Sequence, residues 1–329
     1  MLRIAMFGAG RIAEVHARSV AATEEVELAY VIDVDESRAQ ALAQKYGAKV
    51  GTQDQVLNDV SVGAVIIASP TSTHADLVEA SARAHKAIFC EKPIDLNLDR
   101  VKRCLETVRE QGVLFALGFM RRFDPTYRDL YARIRAGEIG EIEQISIVNR
   151  DLSPPHLDFI ATSGGMVRDL TSHDFDLSRW LLGEEIHSVY AVGSCLIDSE
   201  IGKRGDIDSL QASLTTVSGK LVQISESRRS AYGYDQRIEV MGSLGTLHAA
   251  NKLQSLVTHG GSAGATQARP VSWFLERYAD AYKAQLQDFA EAVRMNRAPL
   301  VGADDGLKAV ELTEAALKSI KTGSHVIVD

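Results

Sequence analysis

Over the first third of the chain, short apolar runs alternate with segments whose apolar residues recur every three to four positions. The runs LRIAMF, VELAYVI, GAVIIAS, KAIFCE and VLFALGF predict strands, and residues 11–21, 36–46, 74–85 and 97–111 predict helices. Parallel neighbours need a crossover between them, so this alternation predicts a doubly wound parallel sheet with helices on both faces. Beyond Phe119 the texture changes. A helical segment near 124–136 leads into the longer runs EIEQISIVNR, IHSVYAVGSCLI, DSLQASLTTV, KLVQISESRR and QRIEVMGS. Their alternation, with glycine-containing turns between several of them, predicts a mostly antiparallel sheet covered on one face. Residues 276–296 and 303–321 predict two closing helices, and the Gly/Ser/Ala-rich stretch THGGSAGATQARPVSW (258–273) predicts a long surface loop.

At 329 residues the chain exceeds the usual size of one domain. The expected division is an α/β domain over 1–120 and a second domain over 121–329, with the last helices able to pack back on the first. A hydrophobic content of 45% with 24% charged residues is ordinary for a soluble globular protein. The net charge of −8 provides no basic field for a phosphate backbone, which argues against nucleic acid as a partner. No apolar run is long enough for a membrane span, and the opening MLRIAMFGAG is too short for a secretory leader, so a cytoplasmic location and no membrane partner are expected. Cys90, Cys104 and Cys195 are odd in number, with no CxxC pair, and indicate neither a disulfide framework nor a zinc knuckle.

The chemistry-bearing residues begin at Gly8-Ala9-Gly10-Arg11-Ile12-Ala13, a G-x-G-x-x-A pattern between a predicted strand and a predicted helix. The first glycine permits a tight turn, the second lets backbone approach a pyrophosphate, and the helix N-terminus offers N–H groups and positive dipole. A Gly-rich turn without a ligand would read the same way. Asp33 ends the next predicted strand about 20 residues further on, where a dinucleotide fold needs an acceptor for the adenosine ribose hydroxyls. A carboxylate there repels a 2′-phosphate, which favours NAD over NADP. Arg38 is placed to lie over the adenine or to soften that preference.

The turn ASPTSTHADLV brings Ser69, Thr71 and His74 to the same sheet edge, although the His74 side chain, taken alone, reads first as a plain helix-face residue with no catalytic task. In CEKP, Glu91 and Lys92 follow an apolar run, and a charged amine beside a core is either a salt-bridge partner or a working group. In SGGMVRDLTSHDFDLSRWLLG, Asp169 and His173 are four apart on what reads as a partly buried helix. Such a pair serves as a general base with its orienting carboxylate, as local structure, or as two metal ligands; no further His/Cys set stands in register for the last.

The motifs GAGRIA, SPTSTHADL, CEKPIDL, GFMRRFDPTY, SGGMVRDLTSHDFDL and SRRSAYGYDQRIEVMGSLG, in this order along nearly the whole chain, resemble those of the Gfo/Idh/MocA oxidoreductases, and most of all their inositol dehydrogenase branch. The resemblance implies an N-terminal Rossmann domain, a C-terminal α/β domain whose open sheet mediates a homotetramer, and NAD as cofactor. It implies oxidation of a polyol, myo-inositol first, to 2-keto-myo-inositol, with another inositol isomer or glucose as alternatives and a non-catalytic NAD-binding regulator as a third. By the same resemblance Lys92, Asp169 and His173 are catalytic. Glu91 belongs to the nicotinamide-ribose environment, and the Lys92–Pro93 bond is cis. Substrate-binding candidates are Arg122, Asp151, Tyr232, Tyr234 and Tyr282. Ala13 in place of a third glycine and the variable Asp174-Phe175-Asp176 are the departures.

Overall fold

The computed structural model describes residues 1–328. The chain forms two compact units, 1–124 with 280–310, and 125–279 with 311 onward. In the first unit the strands are β1 (Leu2–Phe7), β2 (Val26–Ile32), β3 (Lys49–Val50), β4 (Ala64–Ile67), β5 (Ala87–Cys90) and β6 (Phe115–Leu117). They make one parallel sheet in the order β3-β2-β1-β4-β5-β6. The intervening helices are α1 (Arg11–Ala21), α2 (Glu36–Tyr46), α3 (Gln53–Asn58), α4 (His74–Arg83) and α5 (Leu98–Gln111). Strands of a sheet covered on both faces read as unbroken apolar runs, and all four residues of β4 are accordingly buried. The core of the unit gathers Ile4, Met6, Ala13, Ala17, Ile66 and Phe89 with Leu286 and Phe289 from near the chain's end. β3 and α3 lie in a stretch whose apolar content is too low to announce them. Instead a capping box, Thr52 with Gln55, starts α3.

The second unit opens with α6 (Pro125–Arg135), β7 (Ile142–Arg150), α7 (Leu157–Ser163) and α8 (Ser172–Leu182). There follow β8 (Ile186–Ser194), α9 (Ser199–Lys203), β9 (Ser209–Thr216), β10 (Leu221–Ser227), β11 (Asp235–Gly242) and β12 (Gly245–Ala249). Then come β13 (Thr258–Gly261), β14 (Gly264–Gln267) and α10 (Phe274–Arg277); α11 (Ala279–Met295) and the first turns of α12 (Ala303–Thr322) return to the first unit, and the rest of α12 with β15 (Val326–Ile327) completes the second. Seven strands form a sheet in the order β12-β11-β7-β10-β9-β8-β15, antiparallel apart from the parallel pair β7–β10. The strict alternation of buried and exposed residues along β9 and β10 gives it one packed and one open face.

Two expectations are corrected. The helix after Asp169 is not partly buried: every residue of α8 is buried. Its polar members are accommodated by internal bonds, Ser178 Oγ donating to the Asp174 carbonyl at 2.6 Å and Asn149 Nδ2 to Asp174 Oδ2 at 2.7 Å. The 258–273 segment is not a plain loop either, because β13 and β14 pair into an antiparallel hairpin. Its glycines hid the strand signal, since glycine is depleted from strands.

Candidate active site

The register of the parallel sheet places the first set of candidates. Phe7 pairs with Ile32 and Ile67, Ile67 with Cys90, and Cys90 with Leu117. The ladder then runs one residue further. Gly8 N donates to Ile32 O at 2.7 Å, Ala68 N to Phe7 O at 2.8 Å, Glu91 N to Ile67 O at 2.9 Å and Gly118 N to Cys90 O at 2.8 Å. Gly8, Asp33, Ala68, Glu91 and Gly118 therefore stand in a row at the carboxyl edge, and β1 and β4, where the strand order reverses, are at its centre. That is the ligand position of open α/β sheets.

Gly8 has φ +105°, and a Cβ there would lie 2.5 Å from the Ala68 carbonyl oxygen, so only glycine makes this turn. At Gly10 a Cβ would meet nothing within 4 Å, and Gly10 caps α1 without any side-chain hydrogen bond. The head of α1 is thus uncovered beside Ala9, Arg11 and Ile12, as an incoming pyrophosphate requires. Asp33 Oδ2 accepts from Ala9 N at 2.6 Å while Oδ1 accepts from Asp35 N at 2.8 Å. Its carboxylate is thereby fixed beside the phosphate turn, and these residues fit a dinucleotide. Arg38 is exposed and its guanidinium lies 3.1 Å from Asp35.

Further along the edge, Thr71 opens a 3-10 turn, and the Ser69 and Thr73 hydroxyls lie 2.7 Å apart. His74 is buried, with Nε2 2.8 Å from the Ser69 carbonyl and Nδ1 2.8 Å from that of Pro93. Its ring is a staple between the loop after β4 and the turn after Lys92. The Lys92–Pro93 peptide is cis. Glu91 Oε1 lies 2.6 Å from Nε2 of His16 on α1. Two of the substrate candidates also belong to this unit. Arg122 is buried and donates to Asp305 Oδ1 at 2.7 Å, and Tyr282 is buried with its ring edge-on to His16.

The second unit carries the other set. Asp169 lies within a turn of π-helix, Val167–Thr171, that runs into α8, and His173 is buried in the first turn of α8. Wide turns of this kind occur frequently at functional sites. Arg228, 3% exposed just past β10, places Nη1 3.0 Å from Asp169 Oδ2 and 3.2 Å from Asp151 Oδ2. Burial works against its charge, but Asp169 and then Asp151 outweigh that and hold the guanidinium above its ordinary range. Asp151 and Asp169 are thus brought together on one nitrogen. The Tyr232 hydroxyl donates to Asp235 Oδ2 and accepts from Arg150 Nη1 at 2.8 Å, while Tyr234 is buried edge-on to Tyr278. Both tyrosines have structural work in this unit. Among the described residues, no group of three or more His, Cys, Asp or Glu is placed to hold a metal ion, and no helix is long and apolar enough to cross a membrane.

Two residues escaped the sequence reading. Arg228 sits inside SRRSAYGYD, but nothing in the motif marks which arginine is buried. His16 had a signal: Ala13, His16, Ala17 and Val20 follow helical i, i+3, i+4, i+7 spacing, which puts an imidazole on the core face of α1.

Comparison with known proteins gives the same reading of both units. Residues 2–119 match the profile of the oxidoreductase family with an NAD-binding Rossmann fold, and residues 132–328 that of its C-terminal alpha/beta domain. An inositol 2-dehydrogenase of Rhizobium meliloti is 44% identical over 97% of both chains. The crystal structure of a myo-inositol dehydrogenase from Corynebacterium glutamicum has a TM-score of 0.96 at 40% identity, covering 100% of this chain and 99% of that one. A scyllo-inositol dehydrogenase of Lactobacillus casei, solved with NAD(H) and scyllo-inositol, has a TM-score of 0.92 at 28% identity, covering 100% and 99%. With the dinucleotide-binding edge of its parallel sheet, and with profile matches on either side of residue 125, the chain belongs to the Gfo/Idh/MocA family of NAD-dependent oxidoreductases.

Proposed function

We propose that this protein oxidises a secondary alcohol of a cyclitol with NAD, taking myo-inositol to 2-keto-myo-inositol. The observation that carries the reading is the near-full-length similarity to inositol dehydrogenases, joined to a sheet edge where Asp33 is fixed beside an uncovered helix head. Bound NAD supplies the hydride acceptor. In this reading Asp33 binds the adenosine ribose, and the amides at the head of α1 bind the pyrophosphate. His173 removes the proton of the reacting hydroxyl, Asp169 stabilises the imidazolium that results, and Lys92 donates a hydrogen bond to the oxygen as negative charge develops. Asp169 is suited to its role because Arg228 restrains its carboxylate. A polyol needs several fixed polar groups around it, and Arg122, Asp151, Tyr232, Tyr234 and Tyr282 are the proposed set. The enzyme is expected to work in the cytoplasm as a homotetramer formed through the open sheet face, where Tyr190, Val192 and Leu221 are exposed.

Lys92→Ala, Asp169→Asn and His173→Ala test the chemistry. Each is expected to bind NADH within a few-fold of the wild type, measured by fluorescence titration, and to lose about 10²–10⁴-fold in turnover of myo-inositol, the usual span for positioned acid–base groups. Wild-type turnover in both the Lys92 and His173 variants contradicts the mechanism. A second reading, preference for scyllo-inositol, is favoured by the Lactobacillus casei relative solved with that isomer.

A further inference from the structure

We infer that His16 is a positioning residue for Lys92, acting through Glu91, and that it couples the helix receiving the cofactor phosphates to the turn carrying the reactive amine. Three observations within the first unit carry this. First, the pair is sealed. His16 is 0% and Glu91 8% exposed, with Nε2 and Oε1 2.6 Å apart. Nε2 is the ring nitrogen that bonds the carboxylate, and Nδ1 is buried with no hydrogen-bond partner. An imidazole with one nitrogen left unsatisfied costs free energy that an apolar residue on this helix face would not. The retained bond to Glu91 is what the histidine contributes in exchange.

Second, the ring has almost no freedom. Phe89 of β5 and Tyr282 stand edge-on to it, with centroids 5.0 Å and 5.8 Å away. Third, the glutamate is held at both oxygens and given room. Its Oε2 accepts from the Lys92 backbone N–H at 3.3 Å, and a Cβ on Gly118 would lie 2.7 Å from that same oxygen. Glu91 is thus aimed by His16 on one side, and on the other it restrains the amide of the residue whose side chain does the chemistry. His16 lies six residues past Gly10, on the helix whose head is proposed to receive the phosphates. Displacement of α1 at its head therefore reaches the backbone at Lys92 through one short, buried hydrogen bond.

The inference rests on the reading of Lys92 as the amine at the reacting oxygen, and the test separates the two. The full chain is assayed with NAD and myo-inositol, and NADH affinity is measured by fluorescence. The variants are His16→Leu, His16→Gln, Glu91→Gln, the double variant that combines His16→Leu with Glu91→Gln, and Lys92→Ala. His16→Leu fills the space without a donor and is expected to lower kcat about ten- to a hundred-fold with NADH affinity within about three-fold. His16→Gln, which keeps a donor, is expected to recover at least half of that loss on a logarithmic scale. Glu91→Gln is expected to match His16→Leu, and the double variant to be no worse than either, because the two act as one unit. Should His16→Leu fail to fold, the near-isosteric Glu91→Gln carries the same reading. Wild-type kcat in His16→Leu or Glu91→Gln, or a loss confined to NADH affinity, overturns the inference while Lys92→Ala remains inactive. Activity in Lys92→Ala instead removes the reading beneath it.

Discussion

Arg228 bonds two carboxylates through a single nitrogen, and its removal takes from Asp151 and Asp169 the cation that they share. Breaking a buried pair from one side costs about 3–5 kcal/mol, more than most surface substitutions by several-fold. Here the two carboxylates are partly solvated, which reduces that penalty. Arg228→Leu is expected to fold and to lose at least about ten-fold in kcat, and Arg228→Lys to fall between it and the wild type, because an ammonium keeps the charge without the planar fork. Steady-state kinetics with melting curves checks both; an unchanged kcat in Arg228→Leu counts against a role for Asp169. The proposed place of Asp33 at the adenosine ribose gives a second expectation. The ratio of kcat/KM with NAD to that with NADP should be at least about 10², since a 2′-phosphate beside that carboxylate adds like-charge repulsion of a few kcal/mol at short range. Comparable efficiency with NADP would contradict the role proposed for Asp33. The placement of Lys92, Asp33 and the glycines at the sheet edge was readable from sequence, because each follows an apolar strand at a set distance. The partners of His16 and Arg228 were not, because they lie up to 77 residues away, although helical spacing does put His16 on a core face.

At the scale of elements, the parallel strands other than β3 and the helices other than α3 were legible to within a few residues, because burial on both faces forces continuous apolar runs that few other structures require. Features built on polar bonds were not. The π turn at Asp169 departs from helical spacing by one residue, which no apolar pattern reports. Asp235 on β11 shows how such bonds stabilise an element. It is fully buried and accepts from Arg237, Tyr232 and Asn251. Burial alone would raise its carboxyl, but the Arg237, Tyr232 and Asn251 bonds outweigh it and hold it below the ordinary aspartate value. A carboxyl depressed on folding stabilises above its unfolded value and loses that contribution as pH falls through the folded one. Asp235→Asn is therefore expected to lower stability by about 1–3 kcal/mol at pH 7, the range for a lost buried hydrogen bond to a charged group. The difference in melting temperature should narrow as pH drops below about 4. A gap that stays constant from about pH 7 to about pH 3 would mean that the carboxylate charge contributes nothing to β11.

For the whole molecule, two profile matches that together span residues 2–119 and 132–328 make it an oxidoreductase of one family, whereas the substrate depends on a few polar side chains that vary on a shared scaffold. A site that hydrogen-bonds each hydroxyl of a ring discriminates strongly against an analogue that misplaces one, because its own polar groups are then left unpaired. The isomer is thus the most demanding part of the proposal. It was beyond the sequence because composition and spacing report where polar groups lie along the chain, not how they are arranged around a ring. The most direct measurement is the initial rate of NADH formation, followed by its absorbance, with NAD and equal concentrations of myo-inositol, scyllo-inositol, chiro-inositol and glucose. The account predicts turnover with myo-inositol, with kcat/KM at least about ten-fold above that for glucose. NADH formation with none of the cyclitols, or a clear preference for glucose over all three, would contradict it.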